Sequence, residues 1–258
     1  MRVISFNANG IRAAAKKGFF DWVLKQDAEV ICIQETKAQE IDLPENIIKL
    51  KGYDAYFSDA EKKGYSGVAI YTKNKPSHIT KRLGFPCADT EGRYVQATFG
   101  DLKVASLYLP SGSAGETRQA MKFVFLDEFK KKLKEIIESR ENFILCGDWN
   151  IAHKIIDIKN WRANQKHSGF LPEERAWFDD VVAMGFVDAF RVLNHEAHEY
   201  TWWSQRGRAR ANNVGWRIDY QMVTPSLRDK IKRVEIYREQ IFSDHAPLII
   251  DYNFELTL

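Results

Sequence analysis

The tetrapeptide Gly147-Asp148-Trp149-Asn150 follows the apolar run Asn142-Phe143-Ile144-Leu145-Cys146, so a strand ends in a carboxylate and an amide two residues apart. On an extended chain such a pair faces one space. A carboxylate placed there can orient or deprotonate a water while the amide holds a substrate oxygen. Turn residues that merely close a buried strand would be of the same types, but the pattern is repeated. The strand-like segment 2–6 runs into Asn7-Ala8-Asn9-Gly10, the segment 30–33 into Gln34-Glu35-Thr36, and Ser243-Asp244-His245-Ala246-Pro247 precedes Leu248-Ile249-Ile250. Strand ends bearing Asn, Glu, Asp-x-Asn and Asp-His read together as oxygen ligands for a hard cation with catalytic groups around it.

Periodicity indicates the elements that must position these groups. Strand patterning covers residues 3–6, 30–33, 67–71, 94–99, 103–109, 143–146, 217–223, 234–237 and 248–252, and Gly100-Asp101 reads as a tight hairpin. Helical period covers 19–24, then 117–139, where Met121, Phe125, Phe129, Leu133 and Ile137 recur at i+4, then 172–184, with Pro172 in the first turn and Gly185 just beyond. The lysines at 130, 131, 132 and 134 read as the solvated back of an amphipathic helix. Many strands with a few covering helices imply two packed sheets flanked by helices. With 258 residues and no linker or low-complexity tract, one domain spanning 1–258 is expected.

Lys and Arg total 38 against 35 acids, a net +3, too mild to announce a polyanion partner without a local patch. Such a patch is Ser204-Gln205-Arg206-Gly207-Arg208-Ala209-Arg210-Ala211-Asn212-Asn213, set between Trp202-Trp203 and Trp216. Charge for phosphates beside π-faces for bases suits a nucleic-acid groove, although a solvated loop with core tryptophans has the same composition. The cysteines, Cys32, Cys87 and Cys146, are odd in number, lack CxxC spacing and lie partly in apolar runs. They read as free thiols in a reducing compartment. Without a signal-peptide core or a bilayer-length apolar run, a soluble cytoplasmic protein is expected, nucleoid-associated if bacterial. His195, Glu196, His198 and Glu199 lack the i, i+4 histidine pair of a zinc helix and read as a polar loop.

Adjacent residues on an extended chain face opposite ways, so Asp244 should not hold His245. Asp219 is available for that role, on the polar alternation Arg217, Asp219, Gln221.

Taken in order, Phe6-Asn7-Ala8-Asn9-Gly10-Ile11-Arg12, Ile33-Gln34-Glu35-Thr36-Lys37, Tyr108-Leu109-Pro110, Gly147-Asp148-Trp149-Asn150-Ile151-Ala152, Asn213-Val214-Gly215-Trp216-Arg217-Ile218-Asp219-Tyr220 and Ser243-Asp244-His245-Ala246-Pro247 resemble the motifs of the exonuclease III family of abasic-site endonucleases and DNA 3′-end nucleases. The resemblance spans essentially the whole chain. It implies a four-layer α/β/β/α sandwich, a Mg²⁺ ion (Mn²⁺ as substitute) and phosphodiester hydrolysis in base-excision repair. It also implies a monomer acting on double-stranded DNA with damaged, abasic or 3′-terminal sites.

By the same resemblance Glu35 is the principal metal ligand, with Asn7 beside it, Asp244 as a further ligand and Asn9 in the outer shell. Asp148 and Asn150 are candidates for a second metal position. Asp148 activates the attacking water, Asn150 orients it, Tyr108 places a phenol beside the phosphate or leaving group, and the Asp219–His245 pair contacts the scissile phosphate. Trp216 lines a flipped-nucleotide pocket with Trp202 as its aromatic partner, and Lys37, Arg118, Arg206, Arg208, Arg210 and Asn212 lie near the DNA.

The chain departs from the family at Ser111, where relatives often place Asn or Gln. His167 lies in a loop that approaches DNA in the family, where a ring would crowd a continuous duplex yet tolerate a strand end. That favours 3′-end exonuclease over abasic endonuclease, with the balance open. Phosphatases of inositol phosphates and lipids share the Asp-x-Asn and Asp-His chemistry, and a DNA-binding protein without catalysis is a third reading. Against that third reading stand Glu35, Asp148, Asn150, Asp219 and His245, all intact.

Overall fold

The computed structural model describes residues 1–256. Its strands are β1 (Arg2–Asn7), β2 (Val30–Gln34), β3 (Asp54–Ser58), β4 (Val68–Thr72), β5 (His78–Thr80), β6 (Tyr94–Phe99), β7 (Leu102–Tyr108), β8 (Asn142–Asp148), β9 (Val187–Asp188), β10 (Trp202–Trp203), β11 (Gly215–Trp216), β12 (Asp219–Val223), β13 (Ile231–Ile236) and β14 (Leu248–Tyr252). Its α-helices are α1 (Ile11–Lys16), α2 (Phe19–Val23), α3 (Glu45–Ile48), α4 (Pro86–Asp89), α5 (Glu116–Ser139), α6 (Trp161–Asn164), α7 (Pro172–Ala183) and α8 (Ala189–Leu193). Two six-stranded mixed sheets result, ordered β13-β14-β1-β2-β4-β3 and β5-β6-β7-β8-β12-β9, with β10 and β11 as a separate two-stranded ribbon.

Strands covered on both faces bury nearly every position, and β1, β2, β4, β7 and β8 do so. The inner faces pack Val3, Val30, Cys32, Val68 and Ile70 against Val95, Val104, Ile144, Cys146 and Val223. Outside, Ile4, Phe6, Ile31, Ile33 and Tyr71 meet Phe19, Phe20 and Ile47, while Leu107, Leu145, Tyr220 and Met222 meet Phe125, Phe129, Leu133 and Phe178. Helices therefore cover both outer faces of the sheet pair, in four layers. The expected hairpin pairs Phe99 with Leu102 around Gly100 and Asp101, with Gly100 at φ 56. Cys32, Cys87 and Cys146 are free thiols, as expected.

Strand direction gathers the chemistry at one edge. β1 runs parallel to β2, and β7 parallel to β8, so four strands deliver their C-terminal ends together. β14 and β12 run antiparallel to β1 and β8, bringing their N-terminal ends to the same edge, with Asp219 paired to Asp148. Asn7, Glu35, Tyr108, Asp148, Asp219 and His245 converge from six separate segments for this reason. Gly147 permits the close approach of β8 to β7, since a Cβ there would lie 2.0 Å from the Leu107 carbonyl oxygen.

Two expectations change. The strand that carries Asp219 begins at Asp219, not at 217, and its polar residues are not an exposed face: Arg217 and Gln221 are buried. Gln221 donates to the carbonyls of Val3 and Leu248, tying the two sheets. Arg217 is locked by Asp157 and Asp188.

Candidate active site

His245 is held as the sequence suggested, by Asp219 and not by its neighbour. Its Nδ1 lies 2.9 Å from Asp219 Oδ2, and its Nε2 faces Asp148 Oδ2 at 4.0 Å. A hydrogen bond of this kind fixes ring orientation and leaves Nε2 toward the cleft. Thr201 Oγ1 accepts the N–H groups of Ile218 and Asp219, and Ser243 Oγ joins the Asn7 carbonyl to the His245 N–H.

Glu35, Asp148 and His245 offer ligand atoms all within 4.8 Å of one another. Asp148 is buried among other carboxylates. Burial, then Asp219 and Glu35, push its carboxyl up to about 8, against the pull of His245. Burial would lower His245, but Asp219, Asp148 and Asp244 win and push it up to about 10. Asp219 Oδ1 is buried without a hydrogen-bond partner. A site that crowds carboxylates around one imidazole lacks positive charge, and a hard divalent cation fits that deficit and the oxygen donors.

Several assignments are refined by this geometry. Asn7 turns its amide Nδ2 to Glu35 Oε2 (3.1 Å) and Asp148 Oδ2 (2.9 Å), while its Oδ1 accepts the Asn9 N–H. Asn7 thus clamps two carboxylates together through its amide nitrogen, while its Oδ1 gives one lone pair to Asn9 and keeps the other for a metal. Asp244 is also engaged, accepting from Asn9 Nδ2 at 2.9 Å and Trp202 Nε1 at 3.2 Å, and it stands outside the ligand cluster. Burial pushes Asp244 up, but His245, Asn9 and Trp202 outweigh it and leave the carboxyl below its ordinary range.

The Asp-x-Asn pair does not meet by strand alternation. β8 stops at Asp148, and Asn150 adopts a left-handed backbone at φ 50. The turn brings the Asn150 N–H to Asp148 Oδ1 (2.8 Å) and its Nδ2 to the Leu109 carbonyl (2.8 Å) and Asp148 Oδ2 (3.3 Å). Trp149 between them is wholly buried against Phe129, Trp177 and Phe178, anchoring the turn. Asn9, Glu35 and Lys37 are likewise left-handed, at φ 43, 51 and 49. Four non-glycine residues in that region around one edge mark a backbone held by its contacts.

Tyr108 is supported by a buried arginine that the sequence reading did not single out. The Arg93 guanidinium lies 4.7 Å from the Tyr108 ring centroid and donates to the Tyr108 carbonyl at 2.9 Å. Burial, and then Glu35, hold the Tyr108 phenol well above its ordinary value despite Arg93, so it keeps its proton at neutral pH. Lys122 and Glu174, both fully buried, were missed as well. A signal existed, for Lys122 falls on the inward stripe with Phe125, Leu126 and Phe129.

Around these groups opens a cleft of about 1170 Å³, lined by Glu35, Tyr108, Asp148, Asn150, Asp244 and His245, and also by Lys37, Ser111, His167, Trp202, Arg206 and Trp216. Trp202 and Trp216 meet edge to face, 6.1 Å between centroids, on the β10–β11 ribbon. Four other residues expected near DNA, Arg118, Arg208, Arg210 and Asn212, do not line the cleft. Arg118 is paired with Glu91 (3.2 Å) and Tyr65, and Arg210 stacks on Trp203 (4.6 Å) and donates to the Ser243 carbonyl. Arg208 and Asn212 are exposed away from the cleft lining. The polar loop reading of 195–199 agrees with Glu199 pairing with Arg238 and His198 with Tyr200.

Residues 4–245 match the Endonuclease/Exonuclease/phosphatase family, and the chain belongs to that family. It is similar to the DNA repair nuclease APEX1 of Danio rerio, 38% identical over 97% of this chain and 81% of the relative. It is 37% identical to an exodeoxyribonuclease of Bacillus subtilis strain 168 over 98% of this chain and 100% of the relative. Among solved structures, an AP endonuclease from Archaeoglobus fulgidus superposes with TM-score 0.88 at 25% identity, covering 98% of this chain and 100% of the other. The chain is accordingly a hydrolase of the nuclease type. Among the described residues, no helix is long and apolar enough to cross a membrane.

Proposed function

We propose that the protein is a Mg²⁺-dependent DNA phosphodiesterase of base-excision repair, with Mn²⁺ as a substitute, that trims 3′ ends of double-stranded DNA and cleaves at abasic sites as a lesser activity. The observation that carries this reading is the meeting of Glu35, Asp148 and His245 at the floor of a cleft flanked by Lys37, Arg206, Trp202 and Trp216. Carboxylates and an imidazole serve hydrolysis at phosphorus, while cations and indoles suit phosphates and bases.

Glu35, with Asn7 beside it, is the residue that would hold the cation, whose chemistry is to neutralise phosphate charge. Asp148 takes the proton of the attacking water from its ionised form, which a cation beside Glu35 favours, and burial together with Asp219 and Glu35 makes that carboxylate more basic than an ordinary one. The Asn150 side chain orients that water, being fixed itself by Leu109 and Asp148. His245, kept protonated by Asp219, donates from Nε2 to a phosphate oxygen, and the Tyr108 phenol donates beside the leaving oxygen. Three free cysteines agree with a reducing, cytoplasmic compartment.

End-labelled duplexes carrying an abasic site, a nick or a recessed 3′ end, with inositol phosphates alongside, test the reading in Mg²⁺, in Mn²⁺ and in excess chelator. Trimming of the recessed end should dominate and should stop in chelator. Hydrolysis of inositol phosphates alone would overturn the DNA reading, and dominant internal cleavage would favour a predominantly abasic endonuclease. His167→Gly should raise kcat/KM for the internal abasic site relative to 3′-end removal. An unchanged ratio removes His167 as the gate.

A further inference from the structure

Lys122 and Glu174 form an ion pair of 2.6 Å in which both side chains have no exposure at all. Lone buried pairs seldom stabilise more than apolar residues of the same volume, because desolvating two charges offsets their attraction. This pair does something an apolar pair cannot. Lys122 Nζ donates to the Asn150 carbonyl at 2.8 Å. Glu174 Oε2 accepts the backbone N–H groups of Gly169 (2.6 Å) and Leu171 (3.0 Å), and its Oε1 accepts from Gln119 Nε2 (3.1 Å) and Ser168 Oγ (3.5 Å). Ser168 Oγ in turn accepts the Gly112 N–H at 3.1 Å, in the loop that follows Tyr108. One buried pair therefore fastens the left-handed turn at Asn150, the loop that carries His167 and the loop beyond Tyr108.

We infer that Lys122 and Glu174 are positioning residues for catalysis and substrate choice, coupling the water-orienting Asn150 turn to the His167 loop on the wall of the cleft. Neither touches the reacting atoms. The left-handed conformation of Asn150 directs its carbonyl into the protein, where Lys122 supplies the donor for it. Released from that donor, the turn loses one of the contacts that hold it, beside those of the Asn150 amide to Asp148 and the Leu109 carbonyl. Gly169 is the other point of contact: its carbonyl accepts the Ala152 N–H at 2.8 Å, and a Cβ on it would lie 3.1 Å from both the Asn150 oxygen and the Trp216 ring. The loop is thus packed directly on the catalytic turn, and a shift of one displaces the other.

The inference rests on the cleft being a phosphodiesterase site, and wild-type protein that cuts none of the labelled duplexes would fail that reading. The positioning role is tested separately, by comparing Glu174→Gln with the double variant Lys122→Met/Glu174→Gln. Both are judged by thermal unfolding and by single-turnover rate at saturating metal on protein folded by near-UV circular dichroism. Glu174→Gln should lower the Tm, because it leaves a buried ammonium without a counter-ion. The double variant, with no buried charge left unpaired, should recover most of that Tm. Its single-turnover rate should stay about 10-fold or more below wild type, the scale of a small misplacement of a catalytic group. Its ratio of internal abasic cleavage to 3′-end removal should also move. Recovery of both rate and ratio along with the Tm would overturn the inference and leave a purely structural pair. Should neither variant fold, Glu174→Asp keeps the charge but shortens its reach by one methylene. An altered ratio then supports the coupling, and a wild-type rate and ratio overturn it.

Discussion

Two groups of buried charges flank the N-terminal end of β12, and they are built on opposite plans. In one, Arg217 and Arg191 meet Asp157 and Asp188: Asp157 accepts from both arginines at 2.8 Å and Asp188 from Arg217 at 2.7 Å. Positive and negative charges balance, and Arg217, Asp157 and Asp188 take their charged partners from within the group, although Arg217 Nη1 and Arg191 Nε are buried without a hydrogen-bond partner. In the other, two residues along the chain, the carboxylates of Asp219, Asp148, Glu35 and Asp244 gather around His245 and Lys37. The first group is closed, and its Asp157 carboxyl is held at about 2 by Arg217 and Arg191 despite burial. The second is open, and its Asp148 carboxyl is pushed up to about 8. Unclosed charge is where a cation and a phosphate find work to do, so the difference separates scaffold from site within three residues of sequence.

Breaking the closed group should have the largest effect. Arg217→Met leaves Asp188 without its cation and Asp157 with one in place of two, which should cost about 3–5 kcal/mol of stability in urea unfolding, the usual scale for a buried charge stripped of its partner. Single-turnover rate per folded molecule should change far less than stability does. A loss below 1 kcal/mol would show that the network is not closed in solution.

Removing a charge from the open group should do the reverse. Asp148→Asn should lower the single-turnover rate by roughly 10²-fold or more, the scale of losing a positioned base. Its Tm in metal-free buffer near neutral pH should hold or rise. The sign follows from linkage: a carboxyl raised on folding contributes stability below its unfolded value and loses it as pH climbs through the folded one, about 8. A large fall in Tm would mean that Asp148 is a structural ion-pair partner after all.

The closed group also sets an acid limit. Asp157 drops from 3.8 to about 2 on folding, so its contribution is fully present above pH 3.8 and is lost as pH falls through about 2. The shift amounts to about 2 kcal/mol. Asp157→Asn should abolish that part of the pH dependence between pH 4 and 2, measured by urea midpoints. A wild-type slope in the variant would assign the acid limit to other carboxylates.

The sequence made this architecture legible wherever burial imposed a period. β2 and β14 are apolar at all but one position, and α5 shows its inward stripe, with Phe125, Phe129 and Leu133 buried as expected. β3 escaped notice because it begins at Asp54 and is partly exposed, and β9, β10 and β11 are two residues long, formed by tertiary contact rather than local preference. At the site, residue types were legible but conformations were not. At His245 backbone geometry excluded only Asp244, because adjacent residues on an extended chain diverge, and the resemblance supplied Asp219 as the partner. The left-handed turns at Glu35 and Asn150 could not be read, since nothing local requires them and distant partners hold them. Arg118 was placed near DNA by the resemblance and Arg210 by its loop between tryptophans, and internal partners engage both.

That last distinction gives the smallest and sharpest test, on two arginines of one loop. Arg206 is exposed on the cleft wall, whereas Arg210 lies across the Trp203 ring and donates to the Ser243 carbonyl at 3.2 Å. If the cleft binds duplex DNA, Arg206→Ala should weaken binding and reduce the slope of log affinity against log salt by about one, the effect of a single lost phosphate contact. The Tm should not move. Arg210→Ala should do the opposite, keeping the salt slope and losing about 1 kcal/mol of stability with its cation–π and hydrogen-bond contacts. A reduced slope for Arg210→Ala would mean that its charge reaches DNA in the complex. An arginine closed by internal partners would then still serve the open site, and the division between the two kinds of charge would fail at this loop.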